Sequence, residues 1–97
     1  MMPAERIRLR HPDRTKAGPD IERSRYELVR KQILALVPRT GPGITWTDLR
    51  DAAHRRFGTR LAGGNNWWYT SVVKLHLEAL GEIERSGGSP QRLLRSR

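Results

Sequence analysis

His11, His54 and His76 are the chain's three imidazoles, and no cysteine accompanies them. Tetrahedral metal sites draw on histidine and cysteine at short, recurring spacings, and these three histidines have none. No Ser-His-Asp set, paired carboxylates or phosphate-cradling glycine motif is present either, because Gly63-Gly64 and Gly87-Gly88 read as turns. His54 reads as a surface or half-buried residue and His76 as a structural one. The expectation is a protein that is not an enzyme and holds neither metal nor cofactor. Without cysteine, disulfide and thiolate chemistry are excluded, and the redox compartment stays open.

The chemistry that remains belongs to cations. Nineteen lysines and arginines face ten acids, for a net charge of +9 and a pI near 11.4. All the cations except Lys16, Lys31 and Lys74 are arginine. Guanidinium forks grip phosphate oxygens in pairs, so nucleic acid is the first partner to consider; a solvated basic surface is the plainer alternative. The longest apolar run is Ile33 to Val37, too short for a membrane span or a signal-peptide core, and a cytoplasmic location is expected. The length suits one domain.

The stretch that must position these cations runs from Trp67 to Gly81. Asn65 and Asn66 precede it as cap residues, and no proline or glycine interrupts Trp67 to Leu80. Gly81 follows where a left-handed C-terminal cap belongs. A helix over 66–80 is predicted, then a hairpin over 82–95: strand Glu82 to Arg85, a tip at Ser86 to Pro90, and a return strand from Gln91 to Arg95.

Upstream, residues 1–19 form a partly irregular arm, within which Arg6-Ile7-Arg8-Leu9-Arg10 alternates with period two. A short strand over 6–10, beside the C-terminal hairpin, and a disordered basic arm are both compatible with it. A domain over 20–95 follows. Its first helix spans 20–37, capped by Asp20 or by Ser24 with Glu27, and carries the core stripe Tyr26, Val29, Ile33, Leu36 and Val37. Glu27 stands four residues before Lys31 as an exposed pair. Pro38 ends the helix. A second helix spans 45–57, with Thr45 as N-cap, Asp48 at its third position, an Ile44–Leu49 staple, and Leu49, Ala53 and Phe57 facing inward. Arg55 and Arg56 sit in its last turn, where cations complement the helix dipole.

The order of helix, capped helix, helix and hairpin resembles winged helix-turn-helix domains, mainly α with a small antiparallel sheet. Two patterns carry the likeness: Ile44, Thr45, Asp48 and Leu49, then Val73, Leu77, Glu78, Gly81 and Ile83. The chain is also similar to small uncharacterised bacterial winged-helix proteins with a Trp-Trp pair before Leu-x-Leu-Glu-Ala-x-Gly, here Trp67, Trp68, Leu75, Leu77, Glu78, Ala79 and Gly81. The resemblance covers about residues 20–95.

It implies double-stranded DNA as partner and a role as a small transcriptional regulator or accessory factor. It nominates Asn66, Trp67, Thr70, Ser71 and Lys74 on the third helix, with Arg85, Gln91 and Arg92 on the wing. Arg55, Arg56 and Arg60 are the flanking phosphate contacts. The block from Leu61 to Leu80 is net neutral and has only Lys74 as a cation, so weak or non-specific binding is expected over base readout. Trp68 is expected in the core and Trp67 partly exposed, either packed under Gly63-Gly64 or free as an anchor. An alternative function uses the Trp67 surface as a protein-interaction module, including a homodimer, without DNA.

Overall fold

The computed structural model describes residues 4–57, 65–88 and 90–96. Strands β1 (Arg6–Arg8) and β2 (Asp20–Glu22) lead into helix α1 (Arg23–Leu36). Strand β3 (Ile44–Thr45) opens helix α2 (Trp46–Phe57), and helix α3 (Asn66–Ala79) precedes strands β4 (Ile83–Arg85) and β5 (Arg92–Arg95). The fold is mixed α and β: three helices, a two-stranded sheet β1–β2 and a three-stranded sheet in the order β3–β5–β4, with every pairing antiparallel.

The helices form where the sequence supplies periodic apolar positions and explicit ends. In α1 the stripe Tyr26, Val29 and Ile33 is buried, and Val37 leaves the helix in an extended conformation ahead of Pro38. At α2 the Thr45 hydroxyl accepts from the Asp48 amide at 3.2 Å, and Leu49, Ala53 and Phe57 face inward. At α3 the Asn65 side chain accepts from the Trp68 amide at 3.1 Å, and Gly81 takes the left-handed conformation (φ 76°) that ends the helix. All three helices pack on one another around Val29, Ile33, Leu49, Phe57, Val73 and Leu77, each at most 1% exposed.

The N-terminal segment departs from expectation. Residues 20–22 do not begin α1; they pair with β1 in the register Arg6↔Glu22, Ile7↔Ile21 and Arg8↔Asp20. The strand over 6–8 therefore lies beside its own chain's next strand rather than beside the C-terminal hairpin. Neither Asp20 nor Ser24 caps the helix: Glu22 holds the N-cap position without a side-chain cap bond. Glu27 pairs backward with Arg23, which also reaches Glu5. Ile21 and Leu9 are buried in the common core, so the β1–β2 hairpin is part of the hydrophobic body. Alternation alone cannot choose a strand's partner, and the choice falls to which neighbour lets Leu9 and Ile21 leave water.

The C-terminal sheet has one strand more than the expected hairpin, β3. Ile44 pairs with Leu93 and Thr45 with Arg92, so the residues that start α2 also hold the C-terminal hairpin against the helices. Gly43 makes that approach possible: its φ is +86°, and a Cβ there would lie 2.6 Å from the Leu93 carbonyl oxygen.

One polar contact ties the N-terminal segment to α3. His76, 5% exposed, stands edge-on to Tyr26 and accepts at Nδ1 from the Arg10 amide at 2.8 Å. Accepting there requires a neutral ring, and burial together with nearby Arg10 holds the imidazole below its ordinary value, against the opposing pull of Glu82. As pH falls from about 6.5 through the lower folded value, the unfolded chain takes up a proton that the folded chain excludes, and stability is lost across that window. Thermal unfolding followed from about pH 7.5 to 5 should show this loss, flattened in His76→Asn, which keeps an acceptor but cannot titrate. Equal slopes for the two proteins would contradict the assignment.

A candidate functional site on the outer face of the third helix

With Val73, Leu77, Thr70 and His76 turned inward, α3 carries Trp67, Ser71, Lys74 and Glu78 along one flank, exposed at Trp67 and largely covered at Lys74 and Glu78. Helix α2 and the β4–β5 hairpin border this edge. From α2, the Arg50 guanidinium lies 4.1 Å from the centroid of the Trp67 ring and is oriented by Asp51 at 3.1 Å. Also from α2, the Trp46 ring lies 5.2 Å from the Lys74 ammonium. Two cation–π contacts therefore join α2 to α3 along this edge.

At the hairpin end the organising group is a carboxylate. Glu78 accepts from Arg85 through both oxygens, at 2.8 and 3.1 Å, and pairs with Lys74 at 3.2 Å. The Glu78 side chain is 8% exposed and that of Lys74 12%. Burial pushes the Lys74 ammonium below the usual lysine value, and the Glu78 carboxylate opposes the shift. The bidentate hydrogen bonds to Glu78 raise Arg85 further. Arg85 also donates to the Gln91 side-chain oxygen at 3.3 Å. Trp46, Lys74, Arg85, Gln91 and Leu93 line a cleft of about 210 Å³ beside this cluster. An indole, a paired ammonium and a guanidinium suit a flat or anionic group. Among the described residues no three metal-ligating side chains gather.

Of the nominated residues, Trp67, Ser71, Lys74, Arg85 and Gln91 come together on this face. Asn66 is set back, its amide nitrogen 3.2 Å from His54 Nδ1. Thr70 is turned the other way: it is 1% exposed and its hydroxyl donates to the Asn66 carbonyl at 2.7 Å, so it is a core residue and not a surface contact. Arg92 extends from β5, where its amide donates to the Ser86 hydroxyl. Arg55 and Arg56 are exposed on the last turn of α2, with Arg56 directed at Gln32 of α1. Arg60 lies outside the described residues. Trp68 is not in the core: it is 42% exposed, edge-on to Tyr69, and Trp67 is 53% exposed. Thr70, Val73 and Leu77 occupy the inward arc, and both indoles fall on the other side of the helix.

Sequence reasoning missed Trp46, Arg50 and Glu78 as members of the site. The Lys74–Glu78 pair carries a readable signal, an i, i+4 spacing of opposite charges. The stacking of Arg50 on Trp67 has none, because it depends on how α2 crosses α3.

The structure thus defines a small three-helix domain whose third helix shows a cation- and tryptophan-lined edge. Residues 6–93 match a family of unknown function, DUF6958, and the chain belongs to that family. No curated protein and no solved structure matches it.

Glu78 neutralises two cations at once, so removing its charge leaves Lys74 buried without a counter-ion. Glu78→Gln, which keeps the shape, should lower stability by about 1–3 kcal/mol in urea unfolding. An unchanged midpoint would show that the cluster is not structural.

Proposed function

We propose that the chain is a winged-helix domain that binds duplex DNA, with α3 presented to the major groove and the β4–β5 hairpin as its wing. The observation that carries this reading is an antiparallel hairpin set beside α3, whose N-terminal turn exposes Trp67 and Trp68, in a chain of net charge +9. The strand order β3–β5–β4 supports it by holding the hairpin against the start of α2. Phosphate contact, rather than base reading, is the mode this surface favours. Lys74 and Arg85 are occupied by Glu78, and Ser71 and Gln91 are the small polar groups left near a base edge. Arg55 and Arg92 make no ion pair among the described residues and stay available to the backbone.

Two adjacent exposed indoles favour a second reading, in which Trp67 and Trp68 anchor a protein partner or a second copy of the chain. Electrophoretic titration of a random-sequence duplex separates the readings. If four phosphates are neutralised, affinity should fall roughly 100- to 200-fold between about 50 and 200 mM salt. No complex at the lower salt, or an affinity indifferent to salt, contradicts DNA binding. Concentration-dependent self-association in sedimentation, lost in Trp67→Ala, would then favour the protein-partner reading.

A further inference from the structure

The cations that border α3 are not equivalent. Those on the hairpin side, Lys74 and Arg85, share the carboxylate of Glu78. On the opposite side, the segment joining β1 to β2 lies against the helix, where the Arg10 amide meets His76. Its cations are Arg10, Arg14 and Lys16, with Arg8 at the end of β1 beside them, and none of the four forms an ion pair among the described residues. The one carboxylate within this stretch, Asp13, is turned to its own loop: it accepts from the Thr15 amide at 3.0 Å and from the Thr15 hydroxyl at 2.7 Å. Together with His11, the four cations line a hollow of about 290 Å³.

The shape of this segment is fixed. Leu9 is 1% exposed in the core, and its amide donates to the Pro19 carbonyl at 2.8 Å. Gly18 closes so tightly that a Cβ there would lie 2.2 Å from the Leu9 carbonyl oxygen. Charges carried on a preformed backbone can meet a polyanion without first ordering the chain, which lowers the cost of association. An electrostatic site of this kind, rich in arginine and with one carboxylate, Asp13, among four cations, matches phosphodiester oxygens spaced along a backbone.

We infer that residues 8–16 form a second phosphate-binding arm, so that α3 lies between two backbone contacts, this N-terminal turn and the C-terminal hairpin. The inference rests on the DNA-binding reading of α3 and adds to it. The N-terminal turn is the stronger of the two contacts, because its four cations face only the exposed Asp13 while the hairpin-side pair, Lys74 and Arg85, is held by the sheltered Glu78.

The test compares the salt dependence of duplex binding for the wild type, Arg14→Ala/Lys16→Ala, and the control Lys31→Ala/Arg39→Ala, whose exposed cations lie on α1 and the loop after it. All three should unfold at similar temperatures, since each changes exposed side chains only. The arm variant should bind at least about tenfold more weakly at low salt, with a log–log salt slope shallower by about 2, while the control keeps the wild-type slope. The exchange Arg14→Lys/Lys16→Arg should retain the slope. Excess inorganic phosphate at matched ionic strength should not displace the duplex. If the wild type binds DNA but the arm variant matches it, the arm is overturned and the DNA reading stands. If phosphate displaces the duplex at matched ionic strength, the turn is a pocket for a free anion and the arm is overturned as well. If the wild type binds no DNA, both fall.

Discussion

The inward face of α3 is the constraint from which the rest of the structure follows. Val73 and Leu77 are fully buried, and with them go two polar side chains that the core must satisfy, Thr70 and His76. A buried polar group without a partner costs about 1–3 kcal/mol, so each dictates something beyond its own position. Thr70 answers within the helix, by donating to the Asn66 carbonyl. His76 answers across the fold, by accepting from Arg10, and so draws the N-terminal segment against α3. The core that holds the helix in place therefore also positions a basic turn beside it.

Once the inner face is fixed, the outer edge is determined by helical geometry, and its electrostatics by one carboxylate. Glu78 is sheltered enough for its contacts with Lys74 and Arg85 to be only partly screened, unlike the exposed pairs at Arg6–Asp20 and Arg23–Glu5. It fastens the β4–β5 hairpin to α3 and also removes two cations from those available to a ligand. On the DNA-binding reading proposed above, stability of the hairpin and attraction for phosphate are in opposition at this corner. Across α3, the N-terminal turn has no comparable acid.

Much of the helical framework was legible in the sequence because its signals are local. The Asn65 cap, the Thr45–Asp48 bond, the left-handed Gly81, the inward stripes of α1 and α2 and the strands of the C-terminal hairpin each depend on residues within a few positions of one another. What escaped depends on distant partners. Asp20-Ile21-Glu22 reads as a helix start until Arg6 to Arg8 is brought alongside. Ile44 and Thr45 serve α2 and β5 together, and only the first role shows in their neighbours. The candidate site divides in the same way. Its residues on α3 follow from the period of the helix, whereas Arg50 over Trp67 and Trp46 beside Lys74 follow from the crossing of α2 and α3.

The central claim is that α3 offers its outer edge to DNA between two flanking basic segments. Backbone amide shifts, recorded by NMR while a short duplex is added at low salt, test it residue by residue. The account predicts perturbations along 67–79, at 85–92 and at 8–16, with the exposed side of α1 around Lys31 and Ala35 unmoved. Perturbations centred on α1, or none in 67–79 at saturating duplex, would contradict it.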